Sequence, residues 1–222
     1  MSKKIDRRRI RRAVQKERAI KVKTSNYLAE ERAAIDEVLE IFLEEARLLE
    51  YRNNIAYCVH ELAQNAQKGN TKRVYFYERG LDIYDENDYR VGMDTFRYDT
   101  FENMDHYTKL QRRHGLYLQL SFQLEGPEAR IGITQNATLT PKEKQRIRDK
   151  LDLARRSDDL VSAYDHAFDT NEGAGLGLVM TIIMLRRIGL GEEVLEPSFK
   201  AGETSFHLKL KRLVEEPALR TA

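Results

Sequence analysis

Between Ser25 and Ile55, the apolar residues Leu28, Ala33, Ile35, Val38, Leu39, Ile41, Phe42, Ala46 and Leu49 recur every two to four positions, with Glu and Arg between them. That spacing, in strong helix formers, predicts a long amphipathic helix. Its stripe is suited to packing on the domain or on a second copy of itself. Neither Pro nor Gly stops the pattern before Tyr57–Lys68. The period then shortens. Arg73–Glu78 (RVYFYE) is β-prone and predicts a short strand. Leu116–Leu124 (LYLQLSFQL) alternates strictly, as a strand with one buried face does. Ala129–Thr134 follows a Gly126-Pro127 turn, which predicts a hairpin. Ser205–Lys211 alternates again, with Phe206, Leu208 and Leu210 inward. A polar, aromatic-rich stretch at 81–114 reads as part helix, and Pro141–Arg156 as a charged helix. Helices and strands come in separate blocks, which points to an α+β sandwich.

The chain has 222 residues, 41% hydrophobic and 33% charged, enough for a core beneath a heavily solvated surface. One cysteine, Cys58, leaves no intrachain disulfide and favours a reducing, cytoplasmic setting. The apolar run Leu176–Leu185 falls short of the roughly 20 residues a membrane span needs. No apolar segment follows the charged N-terminus, so no signal peptide is expected. The net charge of +2 is unevenly spread, because Lys and Arg crowd residues 1–24 against Asp6 and Glu17 alone. Such an arm reads either as a contact for nucleic acid or an acidic partner, or as a solvated tail or the start of a charged helix. With no aromatic residue interleaved for stacking, the second reading is favoured.

Two stretches carry candidate chemistry. In CVHELAQNAQKGN (Cys58–Asn70), a helix puts Glu61, Asn65 and Lys68 on one face, with Ile55, Val59, Leu62 and Ala66 opposite. A carboxylate, an amide and an ammonium in a row suit a Mg²⁺–triphosphate. The Asn oxygen is a ligand for a hard cation, Lys is a point charge for phosphate, and Glu can orient or deprotonate a nucleophile. A zinc-protease helix is excluded, because HELAQ lacks the second His. In NEGAGLGLVMTIIMLRRIGL (171–190), Gly173, Gly175 and Gly177 lead straight into an apolar helix. Glycine costs up to about 1 kcal/mol in a helix, a cost that close approach of backbone N–H groups to an anion would explain.

Together these stretches resemble the ATP-binding domain of histidine kinases and their gyrase-, Hsp90- and MutL-type relatives, the Bergerat fold. Glu61–Lys68 looks like the N box, Glu172–Leu178 like the G2 box, and Gly202-Glu-Thr204-Ser-Phe206 like the Gly-x-Thr-x-Phe segment opening the last strand. The resemblance covers roughly residues 50–212. It implies a two-layer α/β sandwich, with a mixed, mostly antiparallel sheet covered by helices. By position, Asn65 would hold Mg²⁺, Glu61 would be the candidate base and Lys68 a phosphate contact. Gly173, Gly175, Leu176 and Gly177 would form the lid hinge and phosphate cradle, and Thr204 would lie near the adenine. The implied organisation is a basic arm (1–24), a helical extension suited to dimerisation (25–50), the ATP-binding domain (51–213) and a tail (214–222).

Two departures qualify this. Where the family's G1 box places Asp-x-Gly-x-Gly after the strand at Arg130–Thr134, this chain has Gln135-Asn136-Ala137-Thr138, in which Asn136, or else Gln135, could accept a hydrogen bond from the adenine amino group. A spirochaete-type group of histidine-kinase-like ATP-binding proteins is similar here. The usual phosphoacceptor His is also missing, since residues 1–59 contain none and His60-Glu-Leu has Asn65 where the acceptor motif has Pro. The expected function is therefore ATP- and Mg²⁺-dependent bacterial signalling. It would proceed by phosphotransfer to a partner such as a response regulator, or by ATP hydrolysis. The alternatives are a non-catalytic ATP-sensing regulator and an anti-sigma-type serine kinase.

Overall fold

A computed structural model describes residues 5–157, 176–189 and 195–212. Residues 7–24, read above as an arm, form helix α1 (Arg7–Gln15) and strand β1 (Ile20–Thr24). Helix α2 (Ala29–Ala46) ends at Arg47, whose φ of 60° is left-handed. A short 3₁₀ turn (Leu49–Tyr51) then leads into α3 (Arg52–Glu78). The single helix expected over 25–55 is thus two, separated by that reversal.

The strand expected at Arg73–Glu78 does not form. This segment is the last part of α3, which runs 27 residues, roughly 40 Å. No breaker stands between Asn70 and Arg73, and a local β-preference of this size yields to packing. Val74, Tyr75 and Phe76 are buried in a second, aromatic cluster with Tyr89, Phe96 and Tyr107. Tyr75 and Phe96 meet edge-on at 5.2 Å. The partners come from α4 (Glu86–Glu102) and α5 (Met104–Arg113), which account for the aromatic-rich stretch at 81–114.

The remaining elements are strands β2 (Leu118–Glu125) and β3 (Glu128–Gln135), helices α6 (Pro141–Arg156) and α7 (Leu176–Arg187), and strands β4 (Leu195–Lys200) and β5 (Glu203–Lys211). The hairpin turns through Gly126 at φ 54°. The five strands pair antiparallel in the order β1-β2-β3-β5-β4. Sequence alternation identified β2, β3 and β5 but not β4, whose Pro197 removes a donor and is tolerated because β4 is an edge. The architecture is α+β, an antiparallel sheet packed with helices.

Register explains the core. Val22, Leu120, Ile133 and Phe206 lie in one cross-strand row, and Ile20, Phe122, Ile131 and Leu208 in the next. The row beyond is Thr24, Leu118, Gln135 and Thr204, so the buried face turns polar toward one end. Val14 of α1, Phe42 of α2, Ile55 of α3 and Val179 of α7 join these rows in one cluster. Residues 5–50 therefore share one core with the described residues that follow them. The stripe of α2 that was suited to dimerisation is spent inside the chain, with Ile35, Val38, Leu39, Phe42 and Leu43 buried. The basic arm is folded too. Arg7 pairs with Glu37 and Glu40 at 3.3 Å each, and Arg11 pairs with Glu44 and Glu45 on α2. No helix among the described residues is long and apolar enough to cross a membrane.

Candidate functional site

Helix α3 presents two faces to two tasks. Ile55, Cys58, Val59, Leu62 and Ala66 are buried in the core, while Glu61 is half-buried and Asn65 and Lys68 are exposed. Glu61, Asn65 and Lys68 line a cavity of about 200 Å³ together with Gln135, Leu178 and Phe206. The same three, with Gly177, line a wider groove of about 1770 Å³ that runs on toward α4 and α5. Small-molecule sites typically occupy roughly 300–1,000 Å³, so a ligand of that class would seat one end in the cavity and extend into the groove.

Gly177 stands against Glu61 so closely that a Cβ there would lie 1.7 Å from the Glu61 Oε1. A side chain at this position would displace the Glu61 carboxylate. Further along, α7 is anchored on both sides. The Tyr57 hydroxyl donates to the Met180 sulfur at 3.7 Å, and the Arg186 guanidinium donates to the Ala154 and Ser157 carbonyls at 2.9 Å. Burial pushes the Cys58 thiol up to about 12, so it packs as an apolar residue and is no nucleophile.

The Asn65 Nδ2 donates to Glu61 Oε1 at 3.1 Å. That bond aligns the carboxylate and leaves the amide oxygen of Asn65 to accept a donor or ligate a cation. Lys68, Lys72, Arg146 and Lys150 bring positive charge to the cavity wall. Among the described residues, the acids Glu61 and Glu143 line the same cavity. Glu143 sits 3.2 Å from Lys72 and 2.5 Å from Arg73, and caps α6 by accepting from the Thr140 N–H at 2.9 Å. Burial works to raise its carboxyl, but Arg73, Lys72 and the cap outweigh it and hold it at about 2.

The base-reading acceptor expected at Asn136 is placed elsewhere. Its Oδ1 accepts from the Tyr117 N–H at 2.6 Å and its Nδ2 donates to the Gly115 carbonyl at 2.9 Å, so it pins the approach to β2. Gln135 enters the cavity instead. It is 4% exposed, and its Oε1 has no hydrogen-bond partner among the described residues. It lies against the bare backbone of Gly69 on α3, where a Cβ would come within 2.7 Å of that oxygen. The period-2 pattern could have identified it, because Ile131, Ile133 and Gln135 share the buried face. Thr204 is buried in the same row, and its hydroxyl donates to the Ala137 carbonyl at 3.2 Å without lining the cavity. Gly173, Gly175 and the Leu176 side chain lie outside the described residues.

Tyr27, in the turn between β1 and α2, also lines the groove, a role the sequence did not signal. Its hydroxyl is hydrogen-bonded to His60 Nδ1, and His60 Nε2 lies 2.8 Å from Asp36 Oδ1. Both ring nitrogens of His60 are therefore engaged.

No family model matches the chain, and no solved structure matches it. It is 36% identical over 211 residues to an uncharacterized protein of Treponema pallidum (strain Nichols), across 95% of this chain and 41% of that protein. The chain thus spans about two-fifths of the length of that relative.

Proposed function

We propose that this chain is a histidine-kinase-like nucleotide-binding module of the Bergerat type. On this reading it binds Mg²⁺·ATP and uses it for phosphoryl transfer to a partner protein in signalling, or for hydrolysis. The observation that carries the reading is the convergence of Glu61, Asn65 and Lys68 with Gly177 on one cationic groove. The donor set fits the ligand. Asn65 would hold Mg²⁺ through its amide oxygen, Lys68 and its basic neighbours would meet phosphates, and Glu61 would orient the attacking group. The orphaned Gln135 oxygen calls for an N–H donor, which the adenine amino group would supply. Bound Mg²⁺ would neutralise charge developing on the transferred phosphoryl group.

Titration with a fluorescent ATP analogue and Mg²⁺ tests this. Saturable binding, weakened at least about tenfold by Asn65→Ala, is the expected result. Absent binding, or binding indifferent to that substitution, overturns the reading.

A second reading, a non-catalytic ATP-sensing regulator, is favoured by one feature. The cavity holds an amide at Gln135 where the resembled family has a carboxylate, and a neutral acceptor binds more weakly by about 1 kcal/mol. Incubation with labelled ATP separates the two, since a regulator retains the nucleotide unchanged.

A further inference from the structure

Tyr27, which lines the groove, begins a series of hydroxyl, imidazole and carboxylate that continues behind it through His60 to Asp36, and the proposed phosphotransfer does not use them. The Asp36 carboxylate, 2.8 Å from His60 Nε2, requires that nitrogen to carry the ring proton. Nδ1 is then the bare nitrogen, and it faces the Tyr27 hydroxyl, which donates to it. A carboxylate fixing the imidazole tautomer, with the free nitrogen aimed at a hydroxyl, is the arrangement that activates weak nucleophiles. The three groups come from three places, the β1–α2 turn, α2 and α3, and tertiary packing alone brings them together. The next residue on α3 is Glu61, and Tyr27 lines the same groove as Glu61, Asn65 and Gly177. His60 is unsuited to accept phosphate itself, because both its nitrogens are committed.

We propose that Tyr27 is a phosphoryl acceptor of this chain, with His60 as its general base and Asp36 as the group that orients the imidazole. The step rests on the nucleotide reading above. The Tyr27 oxygen attacks the γ-phosphorus of Mg²⁺·ATP, and a P–O bond forms. The bond from the γ-phosphorus to the β,γ-bridging oxygen breaks, and its electron pair leaves with ADP. The phenolic proton passes to His60 Nδ1, and the resulting imidazolium is balanced by Asp36. A tyrosine on the groove wall thus receives the phosphate. Burial pushes the Tyr27 hydroxyl up from its ordinary value, which makes a base necessary for its ionisation.

Two measurements on the full chain test this. Incubation with Mg²⁺ and γ-labelled ATP, followed by peptide mapping, should place an acid-stable phosphate on Tyr27. Tyr27→Phe should abolish it, and His60→Gln should slow it about a hundredfold or more, both with fluorescent-analogue binding retained. Without nucleotide, an arylsulfonyl fluoride should modify Tyr27, and His60→Gln should slow that reaction at least tenfold. Analogue binding with Tyr27 unlabelled, or sulfonylation indifferent to His60→Gln, overturns the proposal and leaves the nucleotide reading standing. Failure of the analogue to bind removes both.

Discussion

Gln135 and Gly177 are the two residues where stability and binding should part company. A buried acceptor left unpaired costs roughly 1–3 kcal/mol, and the Gln135 oxygen is such an acceptor. Gln135→Leu should therefore leave the melting temperature unchanged or raise it, while weakening ATP-analogue binding about tenfold. A variant that melts earlier would mean that the amide serves the fold. At Gly177, alanine brings helix propensity worth up to about 1 kcal/mol, but its Cβ would intrude on Glu61. The intruded atoms are the carboxylate end of a flexible side chain, so the chain should still fold while Glu61 and its bond from Asn65 are displaced. Lost analogue binding at an unchanged melting temperature is the expected result, and retained affinity would contradict it. The α3 row of Glu61, Asn65 and Lys68 was legible in sequence because helical spacing places such groups with no tertiary information. Choosing between Gln135 and Asn136 needed the strand's parity carried one residue past its apolar run. Tyr27, His60 and Asp36 left no local pattern at all, since three separate elements supply them.

At the scale of elements, Glu143 links the start of α6 to the C-terminal third of α3. Its carboxyl is held at about 2, below its ordinary 4.5, by Arg73, Lys72 and the α6 cap against the opposing effect of burial. A lowered folded value means the carboxylate stabilises the fold fully above about pH 4.5, and that this stability is lost as pH falls toward 2. Glu143→Gln should therefore cost stability most at neutral pH, on the order of 3 kcal/mol, with the deficit shrinking across that acid window. Denaturant melts of both proteins from pH 7 to pH 2.5 would check this, and a deficit independent of pH would refute it. The same region explains an error of sequence reading. RVYFYE has strand composition, but its Val74, Tyr75 and Phe76 are fixed in helix by aromatic partners from α4 and α5, far along the chain. Local preference is outweighed where distant residues supply the burial. Strand β4 escaped notice for a related reason, since its Pro197 is acceptable only at a sheet edge, and edges are assigned by the whole fold.

At the scale of the molecule, residues 5–24 decide which strand forms one edge of the sheet. Composition alone suggested a solvated tail or the start of a charged helix, and a tail is dispensable. In the structure the segment adds edge strand β1 along Leu118–Phe122 of β2 and sends Val14 into the core. Deleting residues 1–24 would expose the β2 backbone donors and acceptors beside Leu120 and Phe122, the kind of edge that recruits other chains. The truncated protein should melt several degrees lower and aggregate with rising concentration in light scattering. Loss of ion pairs to α2 is a rival cause, and charge variants separate it. Solvent-exposed pairs such as Arg7–Glu37 are each worth about 0–1 kcal/mol, so Arg7→Ala with Arg11→Ala should lower stability only slightly and cause no aggregation. An unchanged melt and a monodisperse truncated chain would return the segment to the status of a tail. Aggregation in the charge variants as well would assign the effect to the arginines and not to the strand.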